Sequence, residues 1–240
     1  MRLSVIIPAY NEEQRLPGTL KAVDEYLRKQ SYEYEVVVVN GGSKDRTADI
    51  VRESMSAMPY LRLVETENRG KGYAVQRGML EAKGDIRLFT DADNSTSIDQ
   101  VEKMFPWFDQ GYGVVIGSRD VQGAILNPPQ PWFRNLITAE SFKLLRKILV
   151  GLWDIEDSQC GFKAFSAKAT QAVFPKSVIE RFAFDPEVLS LARKYGYKIK
   201  EIPVTWVNDI HSKVGIMSMV KMGIDLLRIR WNMITSKYGS

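Results

Sequence analysis

Residues 35–47 read EVVVVNGGSKDRT: four valines in succession, then a polar, glycine-containing turn that opens a helical pattern. A strand that is apolar on both faces belongs to a sheet covered on both sides, which is the signature of parallel strands with helices above and below. The same rhythm extends in both directions. Upstream, Leu3–Ile7 precedes a helical pattern over Gly18–Arg28, and the valine strand itself leads into Thr47–Met58. Downstream, Leu61–Val64 is followed by Gly72–Ala82, Ile86–Phe89 by Ile98–Phe108, and Gly113–Ile116 closes the series. The expected fold is α/β, a mostly parallel sheet flanked by helices, with its functional loops gathered at the carboxyl ends of the strands.

Composition is that of an ordinary globular chain: 240 residues, 45% hydrophobic and 26% charged, ample for a core. Cys160 is the only cysteine, which excludes an intramolecular disulfide, and Met1 leads into a strand-like segment without a charged and then apolar leader. A reducing, cytoplasmic setting is expected. Lys+Arg number 33 against 29 Asp+Glu, and the net charge of +4 suits an anionic substrate or an acidic membrane surface, and equally a merely soluble one. Nucleic acid is not an expected partner. No uncharged apolar run reaches the roughly 18 residues that a bilayer span requires.

The loops after the strands are PAYNEE at 8–13, NGGSKDRT at 40–47, ENRGKG at 67–72 and DADNST at 91–96. Singly, each reads as turn and helix-cap chemistry. Together they line one edge of a sheet with carboxylates, amides and cations. Asp91 and Asp93 carry the sharpest chemistry. A strand ending in Asp-x-Asp sets two hard oxygen donors at the carboxyl edge, where Mg²⁺ or Mn²⁺ is held jointly with a diphosphate.

SVIIPAYNEE, GGSKDRT, NRGKGYAVQRGML, DADNST, IGSR, DSQCGFKAF, ERFAFDPEVL and HSKV occur in an order that resembles the family 2 glycosyltransferases. Within that family the chain looks most like the dolichyl-phosphate β-glucosyltransferases and next most like the polyprenyl-phosphate mannosyltransferases. The resemblance runs from Leu3 to about Lys213 and implies the Rossmann-like, nucleotide-diphospho-sugar transferase (GT-A) fold. It makes Pro8, Tyr10 and Glu12 the nucleoside-binding loop, and Asp91 and Asp93 the ligands of Mg²⁺ or Mn²⁺ at the donor diphosphate. Arg69 and Lys71 lie in a glycine-rich loop before a helix, a place for cations and helix N–H groups near phosphate, with surface solvation an equal account of either cation. One departure stands out. Asn40 and Gly41 occupy positions where the family carries two acids, so Asn40 would accept a hydrogen bond from the nucleotide base without a charge.

For the acceptor, the resemblance makes Asp157 a general base if the acceptor is a hydroxyl. A phosphate acceptor needs no base, because its second pKa is about 6. Arg119 and Arg134 then hold that phosphate, against the plainer alternative of structural salt bridges. Lys213 belongs to a loop expected to close over the donor diphosphate, and His211 beside it reads as a loop residue. Arg181, Phe184, Asp185 and Glu187 resemble a helix start on the acceptor side, with Phe182 and Phe184 expected in the core.

Residues 1–213 are thus expected to form the catalytic domain and 214–240 a C-terminal amphipathic helix. That helix carries two apolar sets, 216, 219, 220, 224, 227, 231 and 234, and 217, 222, 226, 229 and 233. Either it lies in a membrane interface, with Trp132 and Phe133 as a second contact, or it packs on the catalytic domain or on another chain. The expected activity is inverting transfer of a hexose, glucose from UDP-glucose, to a polyprenyl or dolichyl phosphate by a protein peripheral on the cytoplasmic face of a membrane. The rivals are mannose from GDP-mannose, transfer to a sugar hydroxyl with Asp157 as base, and a nucleotide-binding module without catalysis.

Overall fold

The structure is a computed structural model and describes residues 3–127, 140–207 and 216–239. β1 (Leu3–Ala9), α1 (Leu16–Leu27), β2 (Tyr34–Asn40), α2 (Thr47–Met55), β3 (Leu61–Glu65), α3 (Lys71–Glu81) and β4 (Ile86–Thr90) alternate as the apolar runs imply. Then come α4 (Phe105–Asp109), β5 (Val114–Ser118), β6 (Ile125–Asn127), α5 (Glu140–Val150), β7 (Phe162–Ser166) and α6 (Ala167–Val173). The chain continues through α7 (Phe184–Lys194), β8 (Ile199–Pro203), β9 (Thr205–Val207) and α8 (Ile216–Ile234).

The main sheet has the order β3-β2-β1-β4-β7-β5-β8. Every neighbouring pair is parallel except those of β7, which runs antiparallel to both β4 and β5. β2 and β3 lie to one side of β1 and β4 to the other, so the strand order reverses there and a crevice opens at the carboxyl ends of β1 and β4. The valines divide by alternation. Val37 and Val39 join Ile6 and Phe89 in the layer under α3, α7 and α8, whereas Val36 and Val38 join Val5, Ile7 and Leu88 under α1 and α2. Both faces are covered, as the unbroken apolar runs require.

The helix expected over Ile98–Phe108 is instead a 3-10 segment, Ile98–Lys103, followed by the short α4. Pro106 explains the break: it has no N–H to donate and its ring blocks the preceding turn, so the helix restarts at Phe105. β7 is the second departure, an antiparallel strand inserted into a parallel sheet.

α8 resolves the ambiguity of its two apolar sets. Met222, Leu226 and Ile229 are buried in the same layer as α3 and α7, while Val220, Ile224, Leu227, Trp231 and Ile234 stand exposed. A buried polar anchor fixes this choice. Tyr238, just past the helix, donates from its hydroxyl to Glu187 Oε1 at 2.7 Å and accepts from Asn232 Nδ2 at 3.3 Å. Because Leu226 is fully buried, Leu226→Ala is expected to lower stability by about 3 kcal/mol. Leu227→Ala, one residue on and exposed, should change it by less than about 0.5 kcal/mol. Urea unfolding midpoints of the two variants measure this difference.

Candidate active site

The crevice edge is formed by the ends of β1, β2 and β4. The β1 loop is laced to the loop after β2: Asn11 N donates to Ser43 Oγ at 2.9 Å, Lys44 N to Asn11 Oδ1 at 2.8 Å, and Glu12 N to Thr47 Oγ1 at 2.8 Å. Asn11 takes up a positive φ of 54° to make this turn. Tyr10 is exposed on the rim, and Pro8 pairs in register with Val39 inside the sheet. Asn40 is buried, and its Oδ1 accepts from Ser43 N at 3.1 Å. That engagement leaves one lone pair and the amide N–H groups of Asn40 for a ligand. Glu12 is taken up in a two-pronged pair with Arg15, both contacts at 2.6 Å.

Asp91 leaves β4 with its backbone N bonded to Gly161 O at 3.2 Å, and its Oδ1 meets Lys71 Nζ at 2.5 Å. Gly161 makes this fit possible, since a Cβ there would lie 2.0 Å from Asp91 Oδ2. Lys71 is placed by Gly70, which takes φ 125° where a Cβ would strike Glu180 O at 2.5 Å. Burial alone pushes the Lys71 ammonium down, but Asp91 and Asp185 more than reverse it and its pKa is raised. Asp93 accepts from Ser95 N at 2.9 Å. Its pKa is raised by burial and then by the charge of Asp91, with Ser95 and Arg15 opposing.

Two carboxylates one residue apart at a crevice fit a hard divalent cation, which takes oxygen donors and completes its shell with phosphate and water. Among the described residues no cluster of three or more His, Cys, Asp or Glu is placed to hold a metal on protein ligands alone. The donor set thus suits an ion that arrives with a diphosphate.

Across the crevice, Asp157 is buried and gathers donors from every side. Arg119 reaches it with Nε at 2.6 Å, Nη2 at 2.9 Å and its backbone N at 3.1 Å, while Gln159 N and Cys160 N donate at 3.0 and 3.1 Å. Burial works to raise the Asp157 pKa, yet the Arg119 charge and these bonds hold it far below the usual carboxylate range. A carboxylate so stabilised is a poor proton acceptor. In this geometry Asp157 anchors Arg119. Arg119 also lies over the Trp206 ring at 4.8 Å. Burial pushes the Cys160 thiol up to about 12, so it stays protonated.

Lys163 and Asp185 join these two halves. Lys163 is 0% exposed and its Nζ donates to Asp185 Oδ1 at 2.6 Å and Cys160 O at 2.5 Å. Asp185 in turn acts on Lys71. Burial raises the Asp185 pKa against the pull of Lys163 and Lys71. The sequence signal for Lys163 was a lone charge in the apolar strand FKAF, which demands a buried partner. Arg15, which faces both Glu12 and Asp93, had no such signal. Arg69 forms an ion pair with Glu180 and covers the Tyr73 ring, a structural role away from Asp91. Phe184 is core, packed 5.6 Å from Phe89, but Phe182, two residues before α7, is exposed, against the expectation that both are core. Arg134, His211 and Lys213, with Trp132 and Phe133, lie outside the described residues.

Residues 4–174 match the model of "Glycosyl transferase family 2". The chain belongs to that family. This family 2 glycosyltransferase is 38% identical to a dolichyl-phosphate beta-glucosyltransferase of Trichomonas vaginalis over 95% of its own length and 72% of the relative's. With the human dolichyl-phosphate beta-glucosyltransferase it shares 34% identity over 99% of its length and 77% of the relative's. Its fold matches that of a Pyrobaculum calidifontis mannosyltransferase solved with GDP-Man and Mn²⁺, with a TM-score of 0.61, 23% identity, and coverage of 97% of this chain and 64% of the other. The nucleotide-diphospho-sugar transferase fold expected from the sequence is the one observed.

Removing one partner of the buried Asp157–Arg119 pair should be severe: Asp157→Asn is expected to cost about 3–5 kcal/mol at neutral pH. The folded-state pKa of Asp157 is depressed, so its contribution is present above the unfolded carboxylate value of about 3.9 and drains away as the pH falls below it. Melting curves between neutral pH and the acid limb should therefore show the gap between wild type and Asp157→Asn narrowing as acid is added.

Proposed function

We propose that this protein is an inverting glycosyltransferase that moves glucose from UDP-glucose to dolichyl phosphate or a related polyprenyl phosphate. The single observation that carries the acceptor class is the Arg119–Asp157 fork. It removes the acid best placed to act as a base and leaves a fixed guanidinium in its stead. A phosphate monoester, with a second pKa of about 6, is already largely a dianion at neutral pH and has no proton to give up. The sugar and the lipid follow the relatives, which are named for glucosyl transfer to dolichyl phosphate.

In this reading an acceptor phosphate oxygen attacks C1 of the glucose from the face opposite the diphosphate. The new C1–O bond forms as the old one breaks, the electron pair leaves with UDP, and a single displacement inverts the anomeric configuration. Arg119, locked in orientation by Asp157, positions the acceptor and offsets its repulsion from the donor. Lys71 and the N-terminal N–H groups of α3 face the diphosphate. Asp91 and Asp93 would hold Mg²⁺ or Mn²⁺, which when bound neutralises charge on the leaving diphosphate. Pro8, Tyr10, Glu12 and Asn40 frame the nucleoside, with Arg134 and Lys213 as further acceptor and donor contacts.

Among the described residues no helix is long and apolar enough to cross a membrane. The exposed apolar row of α8 supports a protein that sits peripherally on a membrane, where its acceptor resides, on the cytoplasmic face that holds nucleotide sugars.

The test is a transfer assay with UDP-glucose, Mn²⁺ and a short, water-soluble polyprenyl phosphate. Wild type should form the β-linked lipid-phosphate glucose, Asp91→Ala and Asp93→Ala should each lose about 100-fold or more, and Arg119→Lys should raise the acceptor KM. Preference for GDP-mannose would overturn the sugar assignment. UDP and Mn²⁺ binding without turnover on any lipid phosphate would make the protein a nucleotide-binding module instead.

A further inference from the structure

A cavity of about 390 Å³ lies between the 178–181 loop and α8, lined by Val178, Glu180, Arg181, Lys221, Ile224, Asp225 and Arg228. Three cations thus surround one space. Glu180 is already matched by Arg69. Lys143 and Lys147, on the neighbouring helix α5, are likewise paired, with Asp120 and Glu156. Arg181, Lys221 and Arg228 differ: among the described residues none of them is held in an ion pair. Asp225 feels Arg228 and Arg181, but burial outweighs both and its pKa is raised. With Glu180 matched by Arg69, three cations face the single carboxylate of Asp225, and the cavity carries a positive excess.

Helical geometry couples the cavity to an apolar surface. Lys221, Asp225 and Arg228 form one stripe of α8, and Val220, Ile224, Leu227, Trp231 and Ile234 form the stripe beside it. Ile224 belongs to both, lining the cavity while 61% exposed. Trp231, 67% exposed, is the residue type that settles at a membrane interface. α5 packs beside α8 and carries exposed Leu144 and Ile148 of its own. A surface of this kind presents an amphiphile with a place for its anionic head next to a place for its chains.

We propose that the Arg181–Lys221–Arg228 cavity binds the phosphate of an anionic bilayer phospholipid whose acyl chains meet the exposed row of α8. The charge of the cavity selects an anionic head, and the contiguous apolar row selects a lipid over a water-borne anion. The proposal rests on the membrane placement given above but not on the transfer reaction, because Asp91, Asp93, Arg119 and Asp157 do not line the cavity.

The test is co-sedimentation of the full chain with vesicles of phosphatidylcholine alone and of phosphatidylcholine mixed with phosphatidylserine, without nucleotide sugar or polyprenyl phosphate. Wild type should bind the mixed vesicles more tightly. Lys221→Gln should weaken that binding about fivefold and the double variant with Arg228→Gln about 25-fold, at roughly 1 kcal/mol per cation, with neutral vesicles unaffected. Leu227→Ser should weaken binding to both kinds of vesicle alike. Should the double variant melt early, Lys221→Gln at its exposed position still decides the matter. Transfer to a short, water-soluble polyprenyl phosphate should be unchanged in Lys221→Gln, so loss of headgroup binding and failure of the glycosyltransferase reading give different results. Equal binding of wild type to the two vesicle types would overturn the proposal. So would inorganic phosphate binding to the free protein that Lys221→Gln abolishes without a change in vesicle binding, or a dimer that covers the α8 row and ignores vesicles.

Discussion

A lysine with no exposure to solvent has to be paired, because an isolated ammonium in a protein interior costs several kcal/mol. Lys163 meets that demand with Asp185 on one side and the Cys160 carbonyl on the other, and the rest of the crevice follows from it. Asp185 begins α7 and acts on Lys71, Lys71 contacts Asp91 at the end of β4, and the loop that carries Cys160 also carries Asp157, which clamps Arg119 at the end of β5. Alternating charges thus tie together elements far apart in the chain. Each member is stabilised by its neighbours, so none can be neutralised without leaving another exposed to the low-dielectric interior.

This arrangement separates two tasks by electrostatics. At the end of β4 the carboxylates are crowded, and burial together with Asp91 drives the Asp93 pKa upward; that place favours added positive charge. At the end of β5 the Asp157 carboxylate gathers several donors and its pKa is driven down; that place holds the Arg119 cation still. The same residue type performs opposite work a short distance apart because one aspartate is paired with a guanidinium and the other with a second aspartate.

Much of the frame was legible in the chain. The valine run of β2 has only one reading, and the apolar runs at Leu3, Leu61 and Ile86 follow it, because continuously apolar strands fit no exposed sheet. The position of Asp91 and Asp93 at a strand end was legible for the same reason. The fork between Arg119 and Asp157 was not, since 38 residues separate them and no local pattern encodes the meeting. Pro106 announced its break, yet the helical spacing around it masked the signal. For α8 the two apolar sets were equally good candidates for the core, and only tertiary contacts, fixed by Tyr238 and Glu187, determined which turned inward.

β7 enters the sheet late in the chain yet lies between β4 and β5, which precede it. Without it, the β1–β4 portion and the β5–β8 portion have no shared hydrogen-bonding edge. During synthesis the first portion is therefore complete in sequence while its outer strand still lacks a neighbour, and an unpaired strand edge invites wrong partners. The strand that closes this edge is also the one that delivers Lys163 and, through the segment just before it, Gly161 and Asp157. A nascent chain consequently joins its two sheet portions only when β7 has emerged, with β8 and the Asp185 partner of Lys163 still to follow.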